Sequence, residues 1–446
     1  MKVYGAVILC GVLCAGAPCA GEAEAAPGLM AAEDPAQGAE SGTVKLIRVR
    51  IIINGDLYEW TTGGITGPEE SVSSLKERIV LSLTGLRPGR DYTPAKLEGE
   101  IARTRYRLEE SGYFYNVNVS AVPPRRNPGE RTVIIEVTEG FLMRFGGGNA
   151  YAMFGRAGLG GDRQEVRGYG GWNRNGLAYA HHRLGGLPLF FGGSLFYYGP
   201  GGAAHDAGTL ELSEAARPLA GALNAGLYGG PDFLGGFGAD AVFPLEEGAP
   251  AWIFSAGPFI SYNPIFPMPK GNRPITANVN LRGFWYPQYQ SGKALVAAAL
   301  HIPLPLPDSL SLEWSLLGAG GGAPEGLPGF ALFNLYEGLT LNGYEGGGIR
   351  SGEDRETLMT RAYALGSTEL RYTALDRTIA RIVRMKLILF AFAEGVRLFD
   401  KAAWADAFGA GLRLHFDNPL FAWFSFSYGW THEGRGRFIF SGAAGF

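Results

Sequence analysis

Cysteine is nearly absent from this chain of 446 residues, and its three cysteines, Cys10, Cys14 and Cys19, all lie close to the N-terminus. The chain beyond them has no thiol, so neither a disulfide nor a cysteine-ligated metal can form there. A strong charge is also lacking, because the formal net charge is −3 and the pI is near 6.1. This balance gives no electrostatic reason to expect a nucleic-acid partner.

Long apolar runs are absent as well. No run after the N-terminal segment is long enough to form a membrane helix. Residues 1–25 predict a secretory signal peptide, with basic Lys2, the apolar stretch Ala6–Ala17 and the cleavage signal Ala23-Glu24-Ala25. A membrane anchor would need a longer apolar run, and the sequences before the cysteines fit a lipoprotein poorly. Residues 26–42 predict a flexible linker. If the exported chain enters a membrane, it must do so as a closed β-barrel, which satisfies its backbone groups in lipid.

Recognisable catalytic motifs are missing too. The six histidines show no metal-ligand spacing. Ser291-Gly292-Lys293 lacks the upstream glycine and the hydroxyl residue of a phosphate loop, and Gly192-Gly193-Ser194 lacks the final glycine of a nucleophile elbow. We therefore predict that the protein is not an enzyme and has no catalytic residue, metal site or cofactor. The 69 glycines fit turns and close strand packing better than phosphate binding.

Residues 43–140 predict a small α+β domain in which one strand precedes two helices and two further strands. The first strand, VKLIRVRIII, ends at the turn signal Asn54-Gly55. The second helix begins with Thr93 as N-cap and Pro94 in its first turn, and Ser111-Gly112 ends it. The predicted apolar faces are Val72, Leu75, Ile79 and Leu83 in the first helix, and Leu97, Ile101 and Leu108 in the second.

The order of these elements, together with the stretches EESGYFYNVNVSAV and VIIEVTEG, resembles a POTRA domain. Such domains are periplasmic modules that bind polypeptides, so the resemblance implies capture of extended client chains at an exposed strand edge, by β-augmentation. An unrelated α+β domain with the same order of elements is the alternative. The sequence shows a single copy of this pattern.

Residues 141–446 lose the helical period and alternate apolar with polar residues. In SLSLEWSL (309–316), the leucines and Trp314 share one face, while the serines and Glu313 share the other. A soluble sandwich also alternates, but in a membrane barrel the apolar face meets lipid and the polar face lines the lumen. We predict an all-β transmembrane barrel of about 16 antiparallel strands, each of roughly 10 residues, with twelve or fourteen strands as the alternatives.

The C-terminal stretch RFIFSGAAGF supports the membrane barrel. Phe438, Phe440 and Phe446 stand at alternate positions, with small residues between them on the same face. A terminal aromatic with this spacing resembles the recognition signal of bacterial outer-membrane barrels. A final strand of this kind can pair with an open strand edge in an assembly machine.

A POTRA-like domain followed by a barrel resembles the outer-membrane assembly and secretion superfamily, which includes the BamA and TamA assembly proteins and the two-partner secretion transporters. In that family a long loop folds into the lumen with a [V/L]-R-G-[F/Y] tip, and a G-x-x-E-L-R-Y strand follows. Here the loop matches residues 326–356 with the tip Leu341-Asn342-Gly343-Tyr344, and the strand matches at Gly366, Glu369 and Arg371. The acid that would face the tip is Glu394, followed by Gly395.

The tip departs from the family pattern because Asn342 stands where the family has arginine. A neutral amide makes a weaker contact with a carboxylate than a guanidinium does, and Asn342 equally suits an ordinary Asn-Gly turn. The tetrapeptide Val166-Arg167-Gly168-Tyr169 matches the [V/L]-R-G-[F/Y] motif of the family, but it comes too early in the barrel to be the tip of the loop. We expect it to be a strand end with an aromatic near the membrane interface.

The resemblance implies an insertase or translocator in the bacterial outer membrane, with the POTRA-like domain in the periplasm. Its partners would be unfolded polypeptide clients and the outer-membrane lipid, and the sequence identifies no accessory subunit. The alternatives are a passive channel or surface antigen that keeps the architecture without the activity, and a soluble secreted β-rich binding protein.

Overall fold

The chain has an α+β domain followed by a large β-barrel. The computed structural model describes residues 43–124, 127–140, 142–148, 151–172, 174–198, 219–243, 252–268, 273–304, 311–327, 333–334, 359–379, 383–416, 423–432, 434 and 436–443. The predicted signal peptide and linker lie outside these residues. So do Phe446 and the predicted loop tip, Leu341 to Tyr344.

The α+β domain is one sheet covered by two helices. The sheet has the order β3-β2-β1-β6-β5, in which β1 and β6 run parallel and the short β4 also pairs with β1. The helices α1 and α2 connect β3 with β4 and β4 with β5. The elements are β1 (Val44–Ile53), β2 (Asp56–Thr61), β3 (Gly64–Thr66), α1 (Glu77–Leu83), β4 (Asp91–Tyr92), α2 (Pro94–Glu110), β5 (Phe114–Val122) and β6 (Glu130–Glu139).

Local signals in the sequence account for most of this domain. The Thr93 hydroxyl accepts a hydrogen bond from the Lys96 backbone N–H at 3.3 Å and caps α2. The hairpin from β1 to β2 turns through Asn54 and Gly55, both with positive φ. One prediction is wrong: α1 begins at Glu77, so Val72 lies outside the helix and is 84% exposed. The helical spacing of the apolar residues predicted the apolar face of α1 but not the residue at which the helix starts.

Antiparallel neighbours continue around the whole barrel, and β25 lies beside β7 to close it. In the described residues the strands occupy sixteen positions, because β14 and the short β15 both pair with β16. The strands are β7 (Met143–Gly148), β8 (Tyr151–Ala157), β9 (Gln164–Gly171), β10 (Arg174–His181), β11 (Leu189–Tyr198), β12 (Leu219–Tyr228), β13 (Phe233–Phe243), β14 (Ile253–Tyr262), β15 (Ile265–Phe266), β16 (Ile275–Tyr286), β17 (Ser291–Pro303), β18 (Ser311–Gly322), β21 (Ala362–Ile379), β22 (Val383–Leu398), β23 (Ala403–Phe416), β24 (Trp423–Trp430) and β25 (Gly436–Ala443). The predicted fold class, a small α+β domain followed by a large antiparallel barrel, is confirmed.

The outer face of these strands carries exposed large apolar side chains, whereas the lumenal face carries charged and small residues together with buried aromatic side chains such as Phe196 and Phe390. In β18, Trp314 is 41% exposed on the outside, whereas Ser315 beside it is buried on the inside. This is the polarity of a transmembrane barrel, whose outer surface meets lipid. Among the described residues, no helix combines the length and the hydropathy needed to cross a membrane. Exposed apolar residues around the outside include Phe154, Leu177, Leu195, Leu223, Phe237, Leu281, Leu370, Leu389, Phe408 and Phe438.

The α+β domain contacts one end of the barrel, which we call the domain-side mouth; the opposite end is the far mouth. β7 begins directly after the domain, so strands alternate away from and toward the domain-side mouth. The two parts share one core at this junction, because Leu142 and Ala157 pack with Leu75 of the domain. The backbone N–H of Ala157 also donates to the Leu142 carbonyl at 2.7 Å.

A charge placed on the outer surface should weaken the barrel. Leu223 lies in the middle of β12 and faces outward. Leu223→Arg should therefore lower the free energy of unfolding in lipid by about 2–4 kcal/mol. Urea titration of the full chain in phospholipid vesicles measures it. The matched control is Asn224→Arg, whose side chain faces the lumen and should cost much less; equal losses for both would contradict the assigned orientation.

Candidate functional site in the barrel lumen and at its domain-side mouth

Charged side chains form a connected group on the lumenal face of four strands. We call His301, Glu313, Glu369, Arg371 and Arg413 the lumenal ion network. In it, Arg371 donates from Nε to Glu369 and from Nη1 to Glu313 Oε1, the latter at 3.1 Å. Arg413 Nη2 donates to both carboxylate oxygens of Glu369, at 3.1 and 3.4 Å. His301 Nδ1 lies 3.1 Å from Glu313 Oε1.

The network is held by strand register and by the small residues beside it. Residues two apart on a strand share a face, so Glu369 and Arg371 both reach the lumen from β21. Arg413 extends from β23 across β22, and its guanidinium lies 4.8 Å from the centre of the Phe390 ring. Gly411 has no side chain where that ring sits, since a Cβ there would lie 2.6 Å from Phe390 Cζ. The network therefore connects β17, β18, β21 and β23 inside the barrel.

Of the residues predicted from the family strand, the structure brings Glu369 and Arg371 together and leaves Gly366 apart. Gly366 faces outward and is exposed, opposite Gly395 on β22. Gly395 lies under the ring of Trp404, where a Cβ would be 2.6 Å from Cζ2. This close approach is a structural reason for glycine at 395.

Glu394 faces the lumen and is buried, with Ser367 and Ala407 opposite it on the neighbouring strands. Its proposed partner, Asn342, lies outside the described residues, as do Leu341, Gly343 and Tyr344. The pairing therefore stays a prediction. Of the C-terminal signal, Phe438 and Phe440 lie on β25, and Phe438 is 63% exposed on the outside.

Two short strands flank residues 335–358, which contain the predicted tip. β19 (Phe333–Asn334) pairs with β20 (Met359–Thr360) near the far mouth. Phe333 is buried against Tyr363, with 5.1 Å between the ring centres, on the lumenal face of β21. Asp400, in the turn after β22, accepts hydrogen bonds from the Thr360 hydroxyl and, at 2.9 Å, from the Arg361 backbone N–H. The described residues on both sides of the predicted loop are thus fixed to the barrel wall.

The early tetrapeptide Val166-Arg167-Gly168-Tyr169 lies in the body of β9, so the prediction of a strand end near the membrane interface is wrong. Arg167 and Tyr169 face the lumen, where Arg167 is 1% exposed and donates to Glu165 at 2.8 Å. Tyr169 stacks edge-on against Phe196, with 5.1 Å between the ring centres. The alternation along β9 accounts for this placement, because positions 165, 167 and 169 share one face.

Glu165 also contacts the α+β domain, because it accepts a hydrogen bond from the Tyr113 hydroxyl at 3.1 Å. Lumen and domain are therefore joined through side chains as well as through the chain itself. The pair formed by Arg167 and Glu165 is almost fully removed from solvent. Removing one member of such a pair costs more than the pair contributes, since the other charge stays buried.

Helix α2 lies against the domain-side mouth. Arg107 donates from Nε and Nη2 to the Asp232 carboxylate in the turn from β12 to β13, at 2.6–2.9 Å. Arg103 Nε donates to the Ile265 carbonyl of β15 at 2.9 Å. A two-pronged guanidinium–carboxylate contact is among the strongest polar contacts between surfaces. It fixes the helix relative to the rim of the barrel.

Tyr106 extends from α2 toward the lumen, where its hydroxyl lies near Thr276 of β16 and the carboxylate of Glu313. Burial raises the pKa of the Tyr106 hydroxyl, and the nearby Glu110 carboxylate acts in the same direction. The hydroxyl therefore stays protonated and can donate.

Sequence reasoning did not single out Arg413, Arg107, Asp232 or Tyr106. Arg413 meets Glu369 only through the register of three strands, which alternation alone does not give. Arg107 and Tyr106 follow the apolar stripe of α2 and have no motif of their own. In the described part of the chain, no group of three His, Cys, Asp or Glu side chains is placed to hold a metal ion.

Comparison with known proteins gives the fold. Residues 67–140 match the POTRA family model, described as "Surface antigen variable number repeat". CdiB from Acinetobacter baumannii is similar in structure at 12% identity, with a TM-score of 0.50, over 90% of this chain and 73% of that one. CdiB from Escherichia coli is similar at 11% identity and a TM-score of 0.50, over 90% and 76%. The fold is that of a POTRA-bearing barrel.

BamA from Haemophilus ducreyi lacking POTRA domains 1-3 is also similar, at 15% identity with a TM-score of 0.42, over 90% of this chain and 85% of that one. No curated protein matches the sequence. The POTRA match covers β5, β6 and both helices, and it includes the residues of α2 that contact the barrel.

The contributions of Glu369 and Arg413 to the stability of the barrel should depend on each other. Glu369→Gln leaves two arginines facing each other without their shared carboxylate and should destabilise the folded barrel by about 3 kcal/mol. Arg413→Gln should also destabilise it, but the double variant should lose less than the sum, with a coupling of about 1–3 kcal/mol. Urea unfolding of all four proteins in vesicles gives the coupling; strict additivity would show that the two side chains do not interact.

The contact between Arg107 and Asp232 should hold the POTRA domain on the barrel. Asp232→Asn removes the charge and one acceptor, so hydrogen exchange should become faster in α2 while the barrel strands keep their protection. Glu59→Gln, which removes the carboxylate that pairs with Arg48 and Arg50 inside the domain, is the matched control. Unchanged exchange in α2 for Asp232→Asn would contradict the role of this contact in docking.

Proposed function

We propose that this protein is an outer-membrane polypeptide insertase or translocator, whose POTRA domain captures unfolded clients on the periplasmic side. The observation that carries the proposal is the docking of POTRA helix α2 at the mouth of a closed barrel, with Phe333, which precedes the predicted loop, packed on the lumenal face. The POTRA match and the barrel fold shared with the CdiB proteins support it.

Clients would be captured at the edge of the POTRA sheet. β5 is the last strand in the described order β3-β2-β1-β6-β5, so one of its sides can accept another strand. Tyr115 and Val122 at its two ends are 38% and 43% exposed. Asn116 has positive φ at a break in the register with β6, which leaves residues 118–122 as the regular part of the edge. An extended client segment would pair there through its backbone.

The barrel would release or insert the client at its closing seam. β7 has 6 residues and β25 has 8, whereas β21 and β22 have 18 and 16. A junction of short strands has fewer ladder hydrogen bonds, so it costs less to separate than any junction between long ones. Pairing between client strands and the freed edges would supply the free energy, without nucleotide hydrolysis.

A passive channel or a surface antigen is the second candidate, and the name of the matching family, "Surface antigen variable number repeat", supports it. Such a protein would keep the barrel and the POTRA domain without handling clients. Depletion from the native host separates the two candidates. An insertase or translocator should lower the abundance of other envelope or secreted proteins, whereas an unchanged outer-membrane proteome would argue for the second candidate.

Client contact at β5 should be detectable directly. A photoreactive benzoylphenylalanine at Val122 should cross-link to an unfolded outer-membrane barrel client, because this side chain is exposed at the strand edge. The matched control is the same group at Val72, which is 84% exposed but lies outside the sheet. Equal cross-linking at both positions, or none at Val122, would contradict capture by strand addition.

A further inference from the structure

Three segments meet on the outer side of the junction between domain and barrel. They are α1 with the residue before it, the turn from β8 to β9, and the turn from β10 to β11. The Lys76 backbone N–H donates to the Gly161 carbonyl at 2.9 Å, and the His182 N–H donates to the Arg163 carbonyl at 2.9 Å. Arg163 Nη1 lies 3.5 Å from the Ser82 hydroxyl of α1. These contacts hold the segments in one arrangement.

Basic side chains from all three segments, and Arg87 from the connection between α1 and β4, gather at this place. We call Arg78, Arg87, Arg163 and Arg183 the junction arginine cluster. Asp162 lies among them, but its contact with Arg78 Nη1 is long, at 3.7 Å. The Nε atoms of Arg163 and Arg183 are buried without a hydrogen-bond partner, as is Asp162 Oδ1. The cluster therefore has more positive charge than its carboxylate balances.

The charges lie close enough to affect one another. Burial lowers the pKa of the Arg183 guanidinium; Asp162 opposes this shift, whereas Arg87, Arg163 and Arg78 add to it. Like charges held together in this way are costly unless an anion joins them. Guanidinium groups match the geometry of a phosphate, which accepts two hydrogen bonds from each.

The cluster lies at the edge of the lipid-facing surface. Val166 and Leu177 face outward on β9 and β10 and are 39% and 63% exposed. The turn that carries Arg183 also carries Leu184 and Leu187, which are 46% and 58% exposed. Arginines beside exposed leucines at the end of a transmembrane segment are typical of the zone where phosphate groups meet acyl chains.

We propose that the junction arginine cluster binds the phosphate of an anionic phospholipid from the leaflet on the domain side, with Leu184 and Leu187 against its acyl chains. The occupant is a lipid rather than a soluble anion because the exposed Leu184 and Leu187 lie in the same turn as Arg183, directly after β10, whose outward side chain Leu177 is also exposed. The bound lipid would contact α1 and both turns, so it would tie the POTRA domain to the barrel. This inference goes beyond the proposed function and does not depend on any client.

Native mass spectrometry of the delipidated full chain in neutral detergent tests the proposal, with phosphatidylglycerol as the probe. The unchanged protein should retain phosphatidylglycerol more strongly than phosphatidylcholine. Arg78→Gln with Arg183→Gln should weaken that retention by roughly thirty-fold, since each arginine near an anionic surface adds about five-fold in affinity. Arg397→Gln, at an exposed position near the far mouth, removes one charge elsewhere and should leave retention unchanged.

Three outcomes would overturn the proposal. Equal retention of phosphatidylcholine would show that charge is not recognised, and equal loss in Arg397→Gln would show that the cluster is not the site. Displacement of the lipid by millimolar inorganic phosphate would show that the site takes a soluble anion. Circular dichroism and the gel mobility of the unheated protein establish that the double variant folds; if it does not, Leu184→Ser with Leu187→Ser should weaken phosphatidylglycerol binding without changing the charge.

Discussion

The structure depends on one constraint: a sheet in lipid must hydrogen-bond all its backbone groups, which it does by closing into a barrel. Closure leaves each side chain facing either the lipid or the lumen. Strand alternation makes that choice, because every second residue meets lipid and the others meet the lumen. Glu369 and Arg371 face the lumen for this reason, and Leu370 between them faces outward. The lumenal ion network follows from the same geometry once the register brings Arg413 and Glu313 beside β21.

The POTRA domain is bound to the barrel by three kinds of contact. Leu75, Leu142 and Ala157 share an apolar core. The Tyr113 hydroxyl donates to Glu165, which is paired with Arg167. Arg107 donates to the Asp232 carboxylate at the rim. Together they place Tyr106 at the mouth, close to the lumenal ion network.

Much of this could be predicted from the sequence, and the rest depends on register. The cap at Thr93, the turn at Asn54-Gly55 and the outward face of Trp314 are local signals, and the structure confirms them. The start of α1 was missed because Val72 continues the apolar period without joining the helix. Arg167 was misplaced because its neighbours suggested an interfacial strand end. Contacts such as Arg413 with Glu369 join residues far apart in sequence, so no local pattern marks them.

The most direct test of the account is reconstitution of the full chain in phospholipid vesicles with an unfolded outer-membrane barrel as client. The measurement is the rate at which the client becomes folded in the membrane or protected from protease inside the vesicle, compared with empty vesicles. The account predicts faster insertion or transfer, and a slower rate when Asp232→Asn loosens the docked POTRA domain or a proline at Ser120 disrupts the β5 edge. A steady ionic conductance with no acceleration would contradict it.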